Sequence, residues 1–427
     1  MRTDRHRKRE VDNMIRISIA GAAVGLFVLA FSDELARAAD LPLRITVEAG
    51  EHARIDSPVS VSLKELNRLP AKFRLSEIRD GKMVPVPFQL DAGHPPRLWW
   101  IMDGKTPAQI RRTYVFEEGP SRAQPAVVIR VHESKKYLEI ARGESRLLRY
   151  NSAPPPLPSG ADPKYTRSGY INPVWTPRGQ VVTDRAQNYL HQLGVWLAYV
   201  GTQFEGRTPN FWDLLNGKAT VQYAGTQHKT SGPVFAAFTV TQHHLDLGLP
   251  GQQKVALKET WTVRAWNVGA EQGYWLYDVM STIRCAGSSP LTVTKHTWGG
   301  MAIRGAPEWY NERCRVLTSE GKTRSEANHT RVRWCDLSGS TQGVWSGMTV
   351  MSHPQNLRHP EPVRVNETIP YFCFVDSYLG DFQITPTNPL VLRYRFFVHD
   401  DAVRAADAER LWRDFAAPPK TAILSID

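Results

Sequence analysis

The sequence has 427 residues, of which 41% are hydrophobic, 22% charged and 10% aromatic, with 30 glycines and 30 prolines. This length allows roughly two to four domains with a substantial core, and the composition excludes a disordered, collagen-like or coiled-coil protein. A polytopic membrane protein is also excluded, because only one apolar run, at the very start, approaches the length of a membrane span.

An export signal is predicted at the N-terminus. Residues 1–16 carry a net charge of +3, an uninterrupted apolar run follows at 17–31, and Ala36-Arg37-Ala38 has the small-x-small pattern of a cleavage site. We therefore assign residues 1–38 as a signal peptide and expect an exported protein, whether periplasmic, at the cell surface or secreted. An uncleaved N-terminal anchor is the alternative, and no membrane span is expected after this segment.

The positive charge belongs mainly to the part of the chain after the signal. Residues 1–38 contain seven basic and five acidic residues of a chain whose net charge is +11, so the remainder keeps about +9. The basic residues are dispersed and form no cluster of the kind that binds nucleic acid, so no nucleic-acid partner is expected. An acidic glycan or another anionic surface is a better match, and a basic protein with no charged partner is the alternative.

The chain from residue 41 is predicted to be mainly β. Period-two runs at 44–47 and 127–131 indicate strands, and the runs 126–132 and 137–141 indicate a hairpin. A smaller β domain is predicted over 41–145. The proline-rich segment 151–163 disfavours regular strand pairing and is taken to mark the boundary with a larger domain over 146–427.

The larger domain is predicted to be an antiparallel β-sandwich or bowl. Its strand candidates are 219–224, 234–241, 255–266, 275–284, 291–294, 344–352, 371–375 and 390–398. They do not alternate with helices, which argues against a parallel βαβ fold. One helix is predicted over 402–415, capped by Asp400 or Asp401 and ended by Pro418 and Pro419.

Glu259 is the first candidate for chemistry. Strand alternation places it on one face with Val255, Leu257, Trp261 and Val263. A carboxylate in an apolar row must be paired, protonated or turned toward a polar cavity, and in a cavity it acquires the raised pKa that is typical of a general acid or base. A structural ion pair, or a solvated face, is the alternative.

Histidines are the second source of candidates. His191, His296 and His353 lie at predicted strand ends or turns, where scaffolds present functional groups. A structural role is the alternative for each of them. No HxH or HExxH spacing occurs, so no metal site is predicted. His243 and His244 are predicted to lie in an exposed turn.

Aromatic residues and cysteines complete the candidates. The chain has 13 tryptophans, whose rings can stack on sugars, although most are expected to be core residues. No nucleophile elbow, Walker loop or dinucleotide-binding glycine motif occurs, and no cofactor is predicted. Four cysteines, Cys285, Cys314, Cys335 and Cys373, allow one or two disulfides in an oxidising compartment, and buried free thiols are the alternative.

Several longer motifs carry a family resemblance. They are Tyr170-Ile171-Asn172-Pro173, His191-Gln192-Leu193-Gly194, Phe211-Trp212, Leu257-Lys258-Glu259-Thr260-Trp261, Gly299-Gly300-Met301-Ala302-Ile303-Arg304-Gly305, Arg333-Trp334-Cys335-Asp336-Leu337, His353-Pro354 with Asn356, and Pro370-Tyr371-Phe372-Cys373-Phe374. With these motifs the chain, over about residues 148–400, resembles the bacterial PmoA-like family, a domain of unknown function often labelled methane oxygenase PmoA. A methane-oxidising role is not expected, because the true PmoA subunit is a polytopic membrane protein and this chain has no apolar span after residue 31.

The resemblance implies a β-sandwich of the galactose-mutarotase type, which binds a carbohydrate or glycan in a concave sheet. It implies Glu259 as the base and His191 or His353 as the acid, with further ligand-binding residues at Gln192, Trp212, Arg304, Asn356 and Tyr371. The chain departs from the family pattern at Asn188-Tyr189 and at Lys295-His296. Two functions therefore stay open: an exported epimerase, lyase or hydrolase acting on a sugar, and a non-catalytic glycan-binding or structural cell-surface module.

Overall fold

The computed structural model describes residues 41–64, 66, 72–93, 95–121, 123 and 127–424. The predicted signal peptide, residues 1–38, lies outside the described residues.

The described chain is mainly β. In chain order its first strands are Leu43–Glu48 (β1), Arg54–Ser62 (β2), Phe73–Arg79 (β3), Lys82–Val86 (β4), Phe88–Asp91 (β5), Arg97–Thr106 (β6), Arg111–Glu118 (β7), Ile129–Glu133 (β8), Tyr137–Arg142 (β9), Ser145–Asn151 (β10), Tyr170–Val174 (β11), Val195–Tyr199 (β12), Thr202–Gln203 (β13) and Ala219–Thr230 (β14). The strands that follow are Phe235–Asp246 (β15), Lys254–Trp266 (β16), Tyr274–Cys285 (β17), Leu291–Val293 (β18), Gly299–Arg304 (β19), Cys314–Thr318 (β20), Arg331–Val332 (β21), Trp334–Thr341 (β22), Val344–Ser352 (β23), Glu361–Val365 (β24), Tyr371–Phe374 (β25), Phe382–Ile384 (β26), Leu390–Asp400 (β27) and Lys420–Leu424 (β28). An α-helix, Ala405–Ala416 (α1), follows β27.

Two large antiparallel sheets form a sandwich. The nine-stranded sheet has the order β21-β24-β25-β19-β12-β11-β10-β9-β8, and the eight-stranded sheet has the order β14-β15-β16-β17-β27-β23-β22-β20. Apolar side chains fill the space between them; for example, the ring centroid of Phe374 on β25 lies 5.5 Å from that of Tyr394 on β27. We call the sheet faces that meet here the inner faces.

A smaller β part precedes the sandwich. It contains a five-stranded sheet, β28-β1-β7-β3-β4, and a three-stranded sheet, β2-β6-β5, around a separate core that includes Trp100, Tyr114 and Phe116. The predicted fold class is confirmed: a mainly β chain with a large antiparallel sandwich, a smaller β part before it and a helix near the C-terminus. The finer likeness to the galactose-mutarotase type stays a prediction.

The predicted domain boundary lies between residues 145 and 146. In the structure this position falls inside β10, and β8 to β10 pair within the nine-stranded sheet. At the other end of the chain, β28 pairs with β1 of the smaller part. Local alternation identifies a strand but contains no information about its hydrogen-bonding partner, so it cannot assign the strand to a sheet.

Helix α1 covers the outer face of the eight-stranded sheet. Its Ala408 and Leu411 belong to a second apolar cluster that includes Phe397 on β27 and Trp334 on β22. The helix begins at Ala405, so the prediction of a cap by Asp400 or Asp401 is wrong: Asp400 still pairs with Ser346 as the last residue of β27. Within the described residues, no helix has the length and apolar character that crossing a membrane requires.

Candidate functional site

The outer face of the nine-stranded sheet collects several of the predicted residues. On β19, Met301 pairs with Phe374, whose ring contacts Tyr394 of the other large sheet. Met301 and Ile303 therefore point inward, and Ala302 and Arg304 project from the outer face. The register pairs Arg304 with Tyr371 on β25 and Ala302 with Trp196 on β12, which brings these side chains onto the same face.

Arg304 is a fully buried cation held by neutral groups. Its Nη1 donates a hydrogen bond of 2.9 Å to Oε1 of Gln192, and its Nη2 donates one of 2.5 Å to the hydroxyl of Tyr310. The guanidinium carbon lies 5.4 Å from the ring centroid of Tyr310 and 6.0 Å from that of Tyr189. Because the guanidinium donates in a rigid planar fork, its two hydrogen bonds fix the orientation of Gln192 and Tyr310.

An aromatic layer supports this cation. The ring of Trp196 lies 5.0 Å from that of Trp212 and 6.3 Å from that of Tyr371. Trp212 is 3% exposed and Tyr371 is 5% exposed, so both pack beneath the surface. Tyr189, in contrast, is 42% exposed and presents its ring to solvent.

A polar rim surrounds Tyr189. The ring of His191 lies 6.1 Å from that of Tyr189, and Nδ2 of Asn188 donates to the Tyr310 hydroxyl at 3.3 Å. Burial lowers the pKa of His191, while Asp213 acts to raise it. The "Arg304 patch" is defined by the side chains of Asn188, Tyr189, His191, Gln192, Trp212, Arg304, Tyr310 and Tyr371.

Glu259 lies elsewhere. Alternation along β16 turns it to the inner face with Trp261 and Val263, as the sequence indicates, and it is 0% exposed. Its Oε2 is 2.8 Å from Nε2 of His244, and its Oε1 accepts hydrogen bonds from Ser281 Oγ, at 2.6 Å, and from the indole of Trp261. The role of Glu259 as a base stays a prediction, and these closed surroundings do not favour it.

The prediction that His243 and His244 lie in an exposed turn is wrong. Both belong to β15, which continues to Asp246, and His244 is 0% exposed. The stretch lacks an apolar alternation, but it pairs with β14 on one side and β16 on the other. The two ladders extend the strand where local propensity does not.

His353 and Asn356 lie in a third region of the fold, away from both the Arg304 patch and Glu259. The ring of His353 lies 4.9 Å from that of Phe415 on α1, on the side of the sandwich that the helix covers. Asn356 is buried, and its Nδ2 donates to Oε2 of Glu361 at 3.1 Å and to the carbonyl of Arg393 at 2.8 Å. The structure therefore brings together five predicted residues, His191, Gln192, Trp212, Arg304 and Tyr371, and leaves Glu259, His353 and Asn356 outside that group.

Sequence reasoning missed Tyr310 and Asp184. Tyr310 follows β19 in a loop and reaches back over Arg304, while the backbone N–H of Asp184 donates to the carbonyl of Arg304 at 3.1 Å. Burial raises the pKa of Asp184, and the Arg304 charge acts to lower it. Neither residue carries a local signal, because each reaches the site through a tertiary contact of its loop.

The described residues contain no group of three or more His, Cys, Asp or Glu side chains placed to hold a metal ion. All four cysteines are free: Cys314, Cys335 and Cys373 are buried and Cys285 is partly buried. This agrees with the alternative of buried free thiols.

The fold and the site define a two-sheet β-sandwich protein with a polar and aromatic patch on one outer face. The chain belongs to a family of unknown function (DUF6807), whose model matches residues 137–413. The family prediction is thus confirmed as a domain of unknown function, whereas the PmoA-like name stays a prediction. No curated protein matches the chain.

Solved structures with a similar fold include two proteins from Enterococcus faecalis. One is a protein of glycosyl hydrolase family 38, with 10% identity and a TM-score of 0.47, covering 91% of this chain and 49% of that one. The other is an alpha-mannosidase with 10% identity and a TM-score of 0.47, covering 90% and 46%. The heparan sulfate lyase HepC from Pedobacter heparinus has 9% identity and a TM-score of 0.32, covering 67% and 38%. The chain therefore spans about half or less of each of these proteins, and the likeness does not bear on its activity.

Proposed function

We propose that this protein binds a carbohydrate at the Arg304 patch. The observation that carries the proposal is the fully buried Arg304 guanidinium, which orients Gln192 and Tyr310 beneath an exposed Tyr189 ring. A buried cation with neutral partners is costly for folding, so its retention is explained if it pre-orients groups for a ligand.

The surface of the patch has the chemistry that a sugar requires. The Tyr189 ring offers an apolar face to the C–H groups of a pyranose, and Asn188 and the His191 imidazole offer donors and acceptors for its hydroxyls. Trp212 and Tyr371 keep the base of the patch rigid from below. Arg304 is thus a positioning residue, and the ligand contacts are made by the rim.

The test is binding to a glycan array followed by calorimetry with the glycan retained most strongly. We expect Tyr189→Ala to weaken binding by about tenfold or more. Trp298→Ala is the matched control, because Trp298 is 41% exposed and lies next to Gly299, at the far end of β19 from Arg304. Retention of no glycan, or equal weakening by the two substitutions, would refute the proposal.

An enzyme acting on a sugar at the same patch is the second candidate. It is favoured by the opposite pKa shifts of Asp184 and His191, which burial raises and lowers respectively beside the same Arg304 charge. In that case Asp184→Asn abolishes turnover of the bound glycan while its affinity is kept. Binding without turnover in the unmodified protein would leave the non-catalytic module.

One further variant tests whether Glu259 has a structural role or takes part in a reaction at the Arg304 patch. Glu259→Gln leaves a single amide oxygen for the donors on His244, Ser281 and Trp261, so we expect it to lower the midpoint of urea unfolding. An unchanged midpoint with lost turnover would instead restore Glu259 as the base.

The proposal also includes export through residues 1–38. N-terminal sequencing of the protein from its native host is expected to give a first residue of Ala39. A mature chain that begins at Met1 or Met14 would contradict cleavage.

A further inference from the structure

A second site lies on the other side of the sandwich, at the β20 edge of the eight-stranded sheet. A cavity of about 690 Å³ opens there, and its lining includes Arg315, Leu317, Arg324, Asp336, Glu367 and Val403. On β22, Cys335 and Leu337 point into the core, so the intervening Asp336 projects from the outer face. The cavity shares no residue with the Arg304 patch.

Asp336 has one carboxylate oxygen without a partner. Its Oδ1 accepts a hydrogen bond of 2.7 Å from Thr349 and lies 2.9 Å from Nε2 of His399. Its Oδ2 is buried and has no hydrogen-bond partner among the described residues. Leaving such an oxygen unpaired is unfavourable, and a hydrogen-bond donor supplied by a ligand would remove the penalty.

The charge of Asp336 is already neutralised by His399. Nδ1 of His399 lies 3.0 Å from the carbonyl of Asp401, which can only accept, and Nε2 faces the Asp336 carboxylate, so both nitrogens carry protons. The pKa of His399 is raised accordingly: burial lowers it, but Asp336, the Asp401 carbonyl and Asp400 together outweigh the burial. The partner that suits the free Oδ2 of Asp336 is therefore a neutral hydrogen-bond donor, such as a hydroxyl, and not a cation.

The rest of the cavity is positively charged. Arg315 is exposed and is held over the ring of Trp345, with its guanidinium carbon 4.4 Å from the ring centroid. Arg324 donates to the carbonyls of Asn366, Asn311 and Ile369. Among the described residues, the contacts of Arg315 and Arg324 are with this ring and these carbonyls, and neither arginine forms an ion pair with a carboxylate. Once the Asp336 charge is neutralised by His399, the remaining charged groups of the lining are Arg315, Arg324 and Glu367, which leaves an excess of one positive charge.

We propose that this cavity binds a sugar acid, a pyranose ring that carries both hydroxyls and a carboxylate. A ring hydroxyl donates to Oδ2 of Asp336, the ligand carboxylate pairs with Arg315, and the apolar ring face packs on Leu317 and Val403. This site is independent of the proposed function, because it uses other residues on another face.

Calorimetry with D-glucuronate and D-galacturonate tests the proposal. We expect at least one of them to bind, with D-glucose and acetate each weaker by about tenfold or more, since each lacks one of the two required groups. Arg315→Ala should weaken the sugar acid by a similar factor. The matched control is Arg313→Ala, which removes an exposed arginine just before β20 that does not line the cavity.

The outcomes separate this site from the Arg304 patch. Tyr189→Ala should leave the affinity for the sugar acid unchanged. The proposal is overturned if neither sugar acid binds, if acetate binds as well as the sugar acid, or if Arg315→Ala and Arg313→Ala have the same effect.

Discussion

Replacing Glu361 by glutamine should make the stability of this protein less dependent on pH. Glu361 is 0% exposed and accepts hydrogen bonds from Asn356, at 3.1 Å, from Tyr394, at 2.8 Å, and from Ser352. Burial, together with the nearby Asp376, raises the pKa of Glu361 from 4.5 to about 7.

The direction and size of the pH effect follow from the linkage between proton binding at Glu361 and folding. A carboxyl group whose pKa is raised on folding binds its proton more tightly in the folded state, so the free energy of unfolding falls as pH rises from about 4.5 to about 7. At about 1.4 kcal/mol per pKa unit, the loss reaches roughly 3 kcal/mol above pH 7, of which about 2 kcal/mol develops between pH 5 and pH 8.

Glutamine fits the same contacts without a charge. Its amide oxygen can accept from Ser352 and Asn356, while its amide N–H donates to the Tyr394 hydroxyl. We therefore expect Glu361→Gln to gain about 2 kcal/mol relative to the unmodified protein when the pH is raised from 5 to 8.

Urea denaturation of both proteins at pH 5 and pH 8 measures this difference. Glu312→Gln is the control, because Glu312 is exposed. If the difference between the unmodified protein and Glu361→Gln is the same at both pH values, then Glu361 does not titrate in this range and the reasoning fails.

Two further predictions concern the support of the second cavity. His399→Asn should lower the free energy of unfolding most below about pH 6.5, where the imidazolium of the unmodified protein pairs with Asp336. The loss should become smaller as pH rises through the raised folded-state pKa of His399, because the unmodified protein then loses this ion pair as well. Denaturation at pH 6 and pH 9 checks this, with His243→Asn as the control, and an equal loss at both pH values would contradict it. Gly347→Ala places a Cβ 2.6 Å from Cε1 of His399 and should cost about 1–3 kcal/mol in urea denaturation. Gly287→Ala, where nothing lies within 4 Å, should cost clearly less, and similar costs would argue against close packing at His399.

The strands were the most predictable feature of the fold. The run 255–266 is observed as Lys254–Trp266 and the run 344–352 as Val344–Ser352, because both are rich in the β-branched and aromatic residues that favour strands. The run 234–241 was extended to Asp246 by its neighbours, and the short strands β11, β12 and β19 had no distinct local pattern. Pairing between distant segments decided those cases.

The candidate site was predictable only in part. Arg304 and Tyr371 were both predicted as ligand-binding residues, because both occur in motifs of the family resemblance. The structure confirms that they are neighbours, since the register between β19 and β25 pairs them. Tyr310 and Asp184 could not be found, since the loops that carry them have no periodicity. That Glu259 shares a face with Trp261 and Val263 followed from alternation, but its partners on β15 and β17 did not.

The sequence alone determined the β-rich character of the chain and which residues share a face along its regular strands, because these depend only on local alternation. The tertiary structure decided which sheet each strand joins, which side chains meet at the Arg304 patch, and that Glu259 is enclosed by His244 and Ser281. The physical reason is that burial, charge pairing and pKa depend on groups distant in sequence, and only folding brings those groups within a few ångströms of one another.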